Sequence, residues 1–194
     1  MYTNENPPRV ALIRLSKIYE SLRYNEYTAE NGLGEIVDNS IEARAANIYV
    51  DLTMAKVKKE GKKKPVDVLT QIVVTDDGCG MDEEVLHHCL VLGDSIRPDR
   101  GDRRGIGRFG VGMTLGSISL ARRIEVYSRI DGESPFLYTY IDLDDIREND
   151  VEEIPFPVEK EPPRADRLEG KSGTVVVMRN CDRLEGTSEG FANY

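Results

Sequence analysis

Apolar residues recur along this chain at two spacings, one typical of helices and the other typical of strands. The helical spacing runs through residues 10–24 and again from about residue 28, where Thr28 is a suitable N-cap. Residues 47–57 and 66–77 alternate instead and are rich in β-branched side chains. Because a polar, lysine-rich segment separates them, these two stretches predict a β-hairpin.

The rest of the chain predicts further helices and strands joined by two irregular segments. In chain order we expect a helix at 82–92, a segment rich in Gly, Arg and Asp at 93–112, a helix from 111, strands at 122–130 and 135–143 joined around Asp131 and Gly132, an acidic, proline-rich connection at 148–164, and a last strand opened by Gly173 and Thr174.

The second helix has an unusual polar face within residues 34–43 (GEIVDNSIEA). Its apolar side gathers Leu33, Ile36, Val37 and Ile41, and its polar side gathers Glu35, Asp38, Asn39 and Glu42. No Lys or Arg interleaves to form the usual stabilising pairs. Three carboxylates and an amide suit Mg²⁺, which takes one or two protein oxygens and fills its other positions with water and phosphate. An ordinary acidic helix surface is the alternative that this stretch alone leaves open.

Glycines mark two further places where backbone turns sharply or approaches a ligand. Gly78 and Gly80 follow the second strand of the first hairpin. Four more, Gly105, Gly107, Gly110 and Gly112, lead into a helix, where free N–H groups and the helix dipole favour an anion. The length of this segment also suits a mobile lid. A flexible surface loop is the alternative, but Phe109, Val111 and Met113 alternate with the glycines, and a purely solvated loop has no use for them.

Composition narrows the class of protein. A length of 194 residues favours one domain, and a net charge of −9 argues against a surface that coats nucleic acid. The lysines of residues 56–64 are typical of a solvated hairpin tip, so they leave DNA binding open without indicating it. Three cysteines without metal-ligand spacing suit a reducing compartment. No run of about 18 apolar residues is present, so we expect a soluble, cytoplasmic protein without a membrane partner.

Four motifs occur in an order that resembles the GHKL superfamily of ATPases. Residues 34–43 resemble its N box, 76–81 (DDGCGM) its adenine-binding DxGxG box, 104–113 (RGIGRFGVGM) its GxxGxG lid box, and 172–177 (SGTVVV) its late Gly-Thr strand. The superfamily includes gyrase B subunits, a heat-shock chaperone, sensor histidine kinases and MutL-type mismatch-repair proteins. The lid is most similar to that of the chaperone, and other stretches are more similar to MORC-type ATPases.

The resemblance covers about residues 28–180 and implies the superfamily fold. That fold is an α/β two-layer sandwich, with a mixed, mostly antiparallel sheet covered on one face by helices. We therefore expect one nucleotide-binding domain over residues 1–194, with a lid at about 93–112. The superfamily's following transducer domain, which supplies a catalytic Lys, cannot be placed in this sequence, so we expect an excised or truncated domain.

The resemblance also implies a role for individual residues. Glu35 would be the general base that polarises the attacking water, and Asn39 would hold Mg²⁺ against the phosphates of ATP. Asp76 would accept a hydrogen bond from the adenine amino group, Met81 would line the ring, and Thr174 would join through water. The remaining implied nucleotide contacts are Gly78 and Gly80 in the adenine box and Gly107, Gly110, Val111 and Gly112 in the lid. Glu42 departs from the pattern, because the N box usually carries Asp there.

The implied function is Mg²⁺-dependent ATP binding and slow hydrolysis that drives lid closure and homodimerisation or clamping of a larger protein. A sensor-type histidine kinase is the first alternative, but residues 1–34 contain no His, and the two present, His87 and His88, follow the adenine box. A nucleotide-sensing module that binds ATP or ADP without appreciable hydrolysis is the second.

Overall fold

The computed structural model describes residues 10, 12–24, 28–58, 61, 63–94 and 112–183. Its elements follow one another in this order: α1 (Leu15–Arg23), α2 (Ala29–Glu42), β1 (Ile48–Val57), β2 (Val66–Asp76), α3 (Glu83–His88), α4 (Gly112–Leu120), β3 (Arg123–Arg129), β4 (Leu137–Asp142), α5 (Leu143–Glu148), β5 (Val158–Glu159), a short 3₁₀ helix (Ala165–Leu168) and β6 (Gly173–Arg179).

The described strands form one sheet in the order β1-β2-β6-β3-β4-β5, and each neighbouring pair is antiparallel. The last strand in the chain, β6, lies in the middle, between β2 and β3. Both predicted hairpins are present, β1 with β2 and β3 with β4. The predicted α/β two-layer sandwich is therefore confirmed.

The main core lies between the helices and one face of the sheet. Alternate residues of β2 and β6, such as Ile72 and Val176, point to this side and pack with helix residues such as Ile36 and Ile118. The intervening residues Val73, Val175 and Val177 pack on the opposite face in a smaller cluster that includes Tyr127, Phe136 and Leu168.

Helix α2 begins where the sequence predicts, and the Thr28 hydroxyl accepts a hydrogen bond from the Asn31 N–H at 3.3 Å. Its buried stripe is shifted from the predicted apolar side, because Gly32, Ile36 and Ser40 are the buried residues and Ile41 is 55% exposed. Helices α1 and α3 are shorter than the patterns predict, and α5 and β5 lie where the sequence analysis predicts only a strand end and a connection.

Close contact between α2 and α4 explains the shifted stripe. A Cβ added to Gly116 would lie 2.7 Å from the Gly32 carbonyl oxygen, and one added to Gly32 would lie 2.6 Å from Ser119 Oγ. The two helix backbones therefore approach at a point where only glycine fits. This approach fixes the distance between the polar face of α2 and the first turn of α4.

Candidate functional site

A buried carboxylate lies at the end of β2, where β2 pairs with β6. Asp76 is 4% exposed and lies opposite Thr174 in the strand register. Its Oδ2 accepts a hydrogen bond from the Ser40 hydroxyl at 2.9 Å, and its Oδ1 accepts one from the Gly78 N–H at 3.0 Å. Burial raises the pKa of Asp76, and these hydrogen bonds oppose that rise. The Thr174 backbone N–H also lowers the pKa of Asp76, so up to three donors face this carboxylate. A carboxylate has about four acceptor positions, which leaves room for a ligand's N–H.

The two glycines that follow Asp76 are required by the geometry of the turn. Gly80 has a φ of 68°, and a Cβ there would overlap the carbonyl oxygen of Arg129. A Cβ on Gly78 would lie 2.7 Å from the Ala43 Cβ, just beyond the end of α2. The Cys79 N–H donates to the Ala43 carbonyl at 2.9 Å. The turn is thus pressed against the end of α2 on one side and against β3 on the other.

Asp77 anchors the same turn from its outer side. Its carboxylate accepts hydrogen bonds from the backbone N–H groups of Ala46 and Asn47 and from the Asn47 side chain. The Lys171 ammonium lies 3.0 Å from its Oδ2. These donors hold the pKa of Asp77 well below its usual range. The pKa values of these two adjacent carboxylates therefore shift in opposite directions: burial dominates at Asp76, whereas the donors around Asp77 make it a structural anchor.

The Ser128 hydroxyl connects three parts of the site. It lies 2.9 Å from the Thr174 hydroxyl, 3.0 Å from the Gly173 carbonyl oxygen, and it accepts the Met81 N–H at 2.8 Å. Ser128 is fully buried in β3. It therefore ties the turn after β2 to β6 and fixes the position of the Thr174 hydroxyl.

The polar face of α2 carries the other predicted residues. The Asn39 amide nitrogen donates to the Glu35 carbonyl oxygen at 2.7 Å, which leaves the amide oxygen as the group that a cation would use. The Glu35 side chain lies against the first residue of α4, since a Cβ on Gly112 would overlap Glu35 Oε2. The base and metal ligand implied by the resemblance thus lie one turn apart on α2, as their spacing predicts.

Predicted site residues fall into three groups in the structure. Asp76, Gly78, Gly80, Met81 and Thr174 are brought together around the ends of β2 and β6. Glu35 and Asn39 lie on α2, whose Ser40 contacts Asp76. Gly107, Gly110 and Val111, with most of the predicted lid, lie outside the described residues, whereas Gly112 begins α4.

Sequence reasoning missed Ser40 and Ser128. Ser40 hydrogen-bonds to Asp76, and Ser128 hydrogen-bonds to Met81 and Thr174. Ser40 had a usable signal, because it lies one turn after Ile36 on α2, where a polar residue on a buried stripe needs a partner. Ser128 had none, since a serine in an alternating strand does not indicate which loop it contacts.

These residues fit a purine and a magnesium ion by the chemistry of their donors and acceptors. Asp76 offers a buried acceptor for an amino group, and Asn39 offers a hard oxygen ligand. Within the described ranges, no group of three or more His, Cys, Asp or Glu side chains is placed to hold a metal by itself. Mg²⁺ is usually bound by one or two protein oxygens, with phosphate and water oxygens filling its other coordination positions.

In the described part of the chain, the helices are too short or too polar to cross a bilayer.

Comparison with known proteins agrees with the fold and the motifs. Residues 27–174 match the family described as histidine kinase-, DNA gyrase B- and HSP90-like ATPase, and the chain belongs to that family of ATP-binding domains. Among individual proteins, it is 31% identical over 100 residues to Protein MICRORCHIDIA 4 of Arabidopsis thaliana, a match that covers 51% of this chain and 11% of that protein. It is 30% identical over 104 residues to Protein MICRORCHIDIA 6 of the same plant, covering 52% and 14%. The chain thus spans less than a sixth of the length of these relatives.

Proposed function

We propose that this domain binds Mg²⁺-ATP between α2, the turn after β2 and the start of β6, and hydrolyses it slowly. The observation that carries the proposal is the buried Asp76 carboxylate, which is oriented by Ser40 and Gly78 and keeps acceptor capacity for a ligand. A buried acceptor of this kind discriminates strongly, because a base without the matching N–H would leave it unpaired.

Adenine recognition would use the residues around this carboxylate. Asp76 would accept the hydrogen bond from the adenine amino group, while Thr174, held by Ser128, would contact the ring through water. Met81 would lie along the ring, with its backbone fixed by the same Ser128 hydroxyl. Gly78 and Gly80 have no side chains, so the backbone of this turn would be able to approach the adenine closely.

The phosphate end would use α2 and the lid. The Asn39 amide oxygen would bind the metal, and bound Mg²⁺ would offset the charge of the phosphates. Glu35 would accept a proton from the attacking water, for which it must lie within hydrogen-bond reach of that water. Gly107, Gly110, Val111 and Gly112 would bring lid backbone N–H groups to the phosphates.

In the larger protein, nucleotide binding would close the lid and favour a homodimer that acts as a clamp. The support is the relationship to much longer MICRORCHIDIA proteins, of which this chain matches a small part. We also propose that the protein is cytoplasmic and that a following transducer domain supplies a catalytic Lys.

Measurements of phosphate release and of nucleotide binding by two variants, Glu35→Ala and a control, test the proposal. Glu35→Ala should abolish hydrolysis and keep Mg²⁺-ATP binding, which calorimetry and a coupled phosphate assay measure. Glu30→Ala is the matched control, because Glu30 is exposed in the first turn of the same helix. Turnover by Glu35→Ala at the control's rate would place the base elsewhere and favour the kinase or sensor alternatives. Failure of the unaltered chain to bind Mg²⁺-ATP would refute the proposed site.

Lid closure needs a separate measurement. A non-hydrolysable ATP analogue should protect residues 100–112 from hydrogen exchange much more than ADP does, because the γ-phosphate supplies the additional contacts. Equal protection by both nucleotides would mean that the lid does not sense the γ-phosphate.

A further inference from the structure

A second candidate binding site lies away from the nucleotide site. It is a cavity of about 480 Å³ between α1, α3 and the residues that follow it, the β4–α5 junction, and residues 151–155. None of Glu35, Asn39, Asp76 or Thr174 lines it. Its volume falls within the range of about 300–1,000 Å³ that is usual for small-molecule sites.

The walls of this cavity are mainly apolar. The aliphatic side chains that line it include Leu15 of α1, Val91 and Leu92 after α3, Ile146 of α5 and Ile154. The His87 Nε2 atom lies 3.1 Å from the Ile154 carbonyl oxygen, which ties α3 to residues 151–155 and holds two walls together. Such a cavity favours a ligand with an apolar body.

One polar side chain in the cavity has no partner in the described part of the chain. Tyr19 lines the cavity and is only 7% exposed, and its hydroxyl makes no hydrogen bond to any described residue. Burial also raises the pKa of this phenol, so it stays neutral and can donate a hydrogen bond at physiological pH. A ligand with a polar atom near Tyr19 would give this hydroxyl a hydrogen-bond partner.

The charged groups that line the cavity favour a cation. Glu152, Glu153 and Asp145 line it, and none of the three forms an ion pair with a described Lys or Arg. Asp142 is already paired with Arg123 at 3.0 Å, and the His88 Nδ1 atom lies 2.7 Å from Asp94 Oδ2. No Lys or Arg is among the described residues that line the cavity. An anion would therefore meet repulsion at the rim, whereas a cation would find carboxylates that have no ion-pair partner among the described residues.

We propose that this cavity binds an amphipathic organic cation, with the apolar part inside against Leu15, Val91 and Ile146 and an ammonium or guanidinium group at the rim beside Glu152 and Glu153. The site is independent of the proposed ATPase function. A free amine and a Lys or Arg side chain of a peptide share this chemistry.

Charge-reversed probes of equal size test the proposal on the 194-residue chain. By calorimetry at low salt, 4-phenylbutylamine should bind at least about tenfold more tightly than 4-phenylbutyrate, because only the amine carries the complementary charge. A tetrapeptide with Lys next to Leu forms the second arm. Tighter binding of the peptide would assign the site to a peptide side chain, and tighter binding of the free amine would assign it to a small molecule.

Two conservative variants with matched controls locate the binding. Glu152→Gln with Glu153→Gln should weaken amine binding about three- to tenfold, and added salt should reduce the difference. The control replaces the exposed Glu159 and Glu161 by Gln, which removes the same charge outside the cavity. Tyr19→Phe should weaken binding about two- to tenfold, whereas Tyr24→Phe, at an exposed position, should not.

Three results would overturn the proposal. Equal binding of amine and carboxylate would remove the argument from charge. An equal effect of the rim variants and their controls would place binding elsewhere. An experimental structure in which residues of the chain outside the described part fill the cavity would show that the chain itself occupies the site.

Discussion

The Ser40 hydroxyl lies 2.9 Å from Asp76 Oδ2 and joins the buried stripe of α2 to the end of β2. The same hydroxyl lies 3.3 Å from the Ile36 carbonyl oxygen, so the shorter contact to the carboxylate is the better hydrogen bond. One buried serine thus connects the helix that carries Glu35 and Asn39 to the carboxylate proposed to bind adenine. Ser40 therefore helps to orient the Asp76 carboxylate, although Ser40 is not among the residues proposed to contact the adenine base.

Ser40→Ala should weaken ADP binding without preventing folding. Loss of one hydrogen bond corresponds to about 0.5–1.5 kcal/mol, or roughly two- to twelvefold in Kd. Ser21→Ala, at an exposed position on α1, is the control. Calorimetry at constant salt gives the comparison, and an unchanged Kd for Ser40→Ala would show that Asp76 keeps its orientation without the serine.

Asp76→Asn should have a larger effect, because it replaces one of the two acceptor oxygens by an NH₂ donor and removes the negative charge. A charge-assisted hydrogen bond in a buried site corresponds to about 1.5–3 kcal/mol, so the Kd for ADP should rise roughly 10- to 150-fold. Asp67→Asn, at an exposed position on β2, controls for the loss of one charge. Equal affinities for the two variants would refute the adenine assignment.

Gly80→Ala should lower the unfolding free energy by more than the positive φ of Gly80 alone would cause. Gly61 and Gly80 both have positive φ, at 78° and 68°. A Cβ on Gly61 meets no described atom within 4 Å, while a Cβ on Gly80 overlaps the Arg129 carbonyl. Gly61→Ala should therefore lose only the conformational preference, about 1–2 kcal/mol of unfolding free energy. Gly80→Ala should lose clearly more and should also weaken ADP binding, as urea denaturation and calorimetry would measure. Similar losses for both would mean that β3 moves away readily.

Local patterns were sufficient to predict the helices and strands that carry the site. Thr28 marked the start of α2, and the alternation in β2 and β6 marked the two strands that meet at Asp76 and Thr174. The order of the sheet was not predictable from such patterns, because β6 lies between β2 and β3 and its neighbours are distant in sequence. The buried face of α2 was also misjudged, since Gly32 carries no apolar side chain to mark it.

Two glycines on or against α2 should respond to alanine in opposite directions. An added Cβ on Gly34 meets no atom of the described residues within 4 Å. Gly34→Ala should therefore stabilise the nucleotide-free chain by about 0.5–1 kcal/mol through helix propensity. Gly116→Ala gains the same propensity but forces a Cβ to within 2.7 Å of the Gly32 carbonyl oxygen, and overpacking of this kind costs about 1–3 kcal/mol. Urea denaturation measures both, and stabilisation by Gly116→Ala would contradict the close helix approach.

Adjacent Asp76 and Asp77 should give opposite pH dependences of stability. Burial raises the folded-state pKa of Asp76 above its unfolded value near 3.8, so the native state binds the proton more tightly and loses stability as pH rises through that interval. Hydrogen bonds from Asn47 and Ala46 lower the folded-state pKa of Asp77, so its contribution is present above pH 3.8 and is lost as pH falls towards the lowered value.

Two amide variants separate these contributions. The unfolding free energy of Asp76→Asn minus that of the unaltered chain should increase as pH rises from 3.8 through the raised pKa and then level off. The same difference for Asp77→Asn should become more negative as pH rises towards 3.8 and stay constant above about pH 5, where both states are ionised. Urea denaturation without nucleotide, from pH 3 to pH 7, provides both curves. If the two differences change in the same direction with pH, the assignment of one carboxylate as buried and the other as a hydrogen-bonded anchor is wrong.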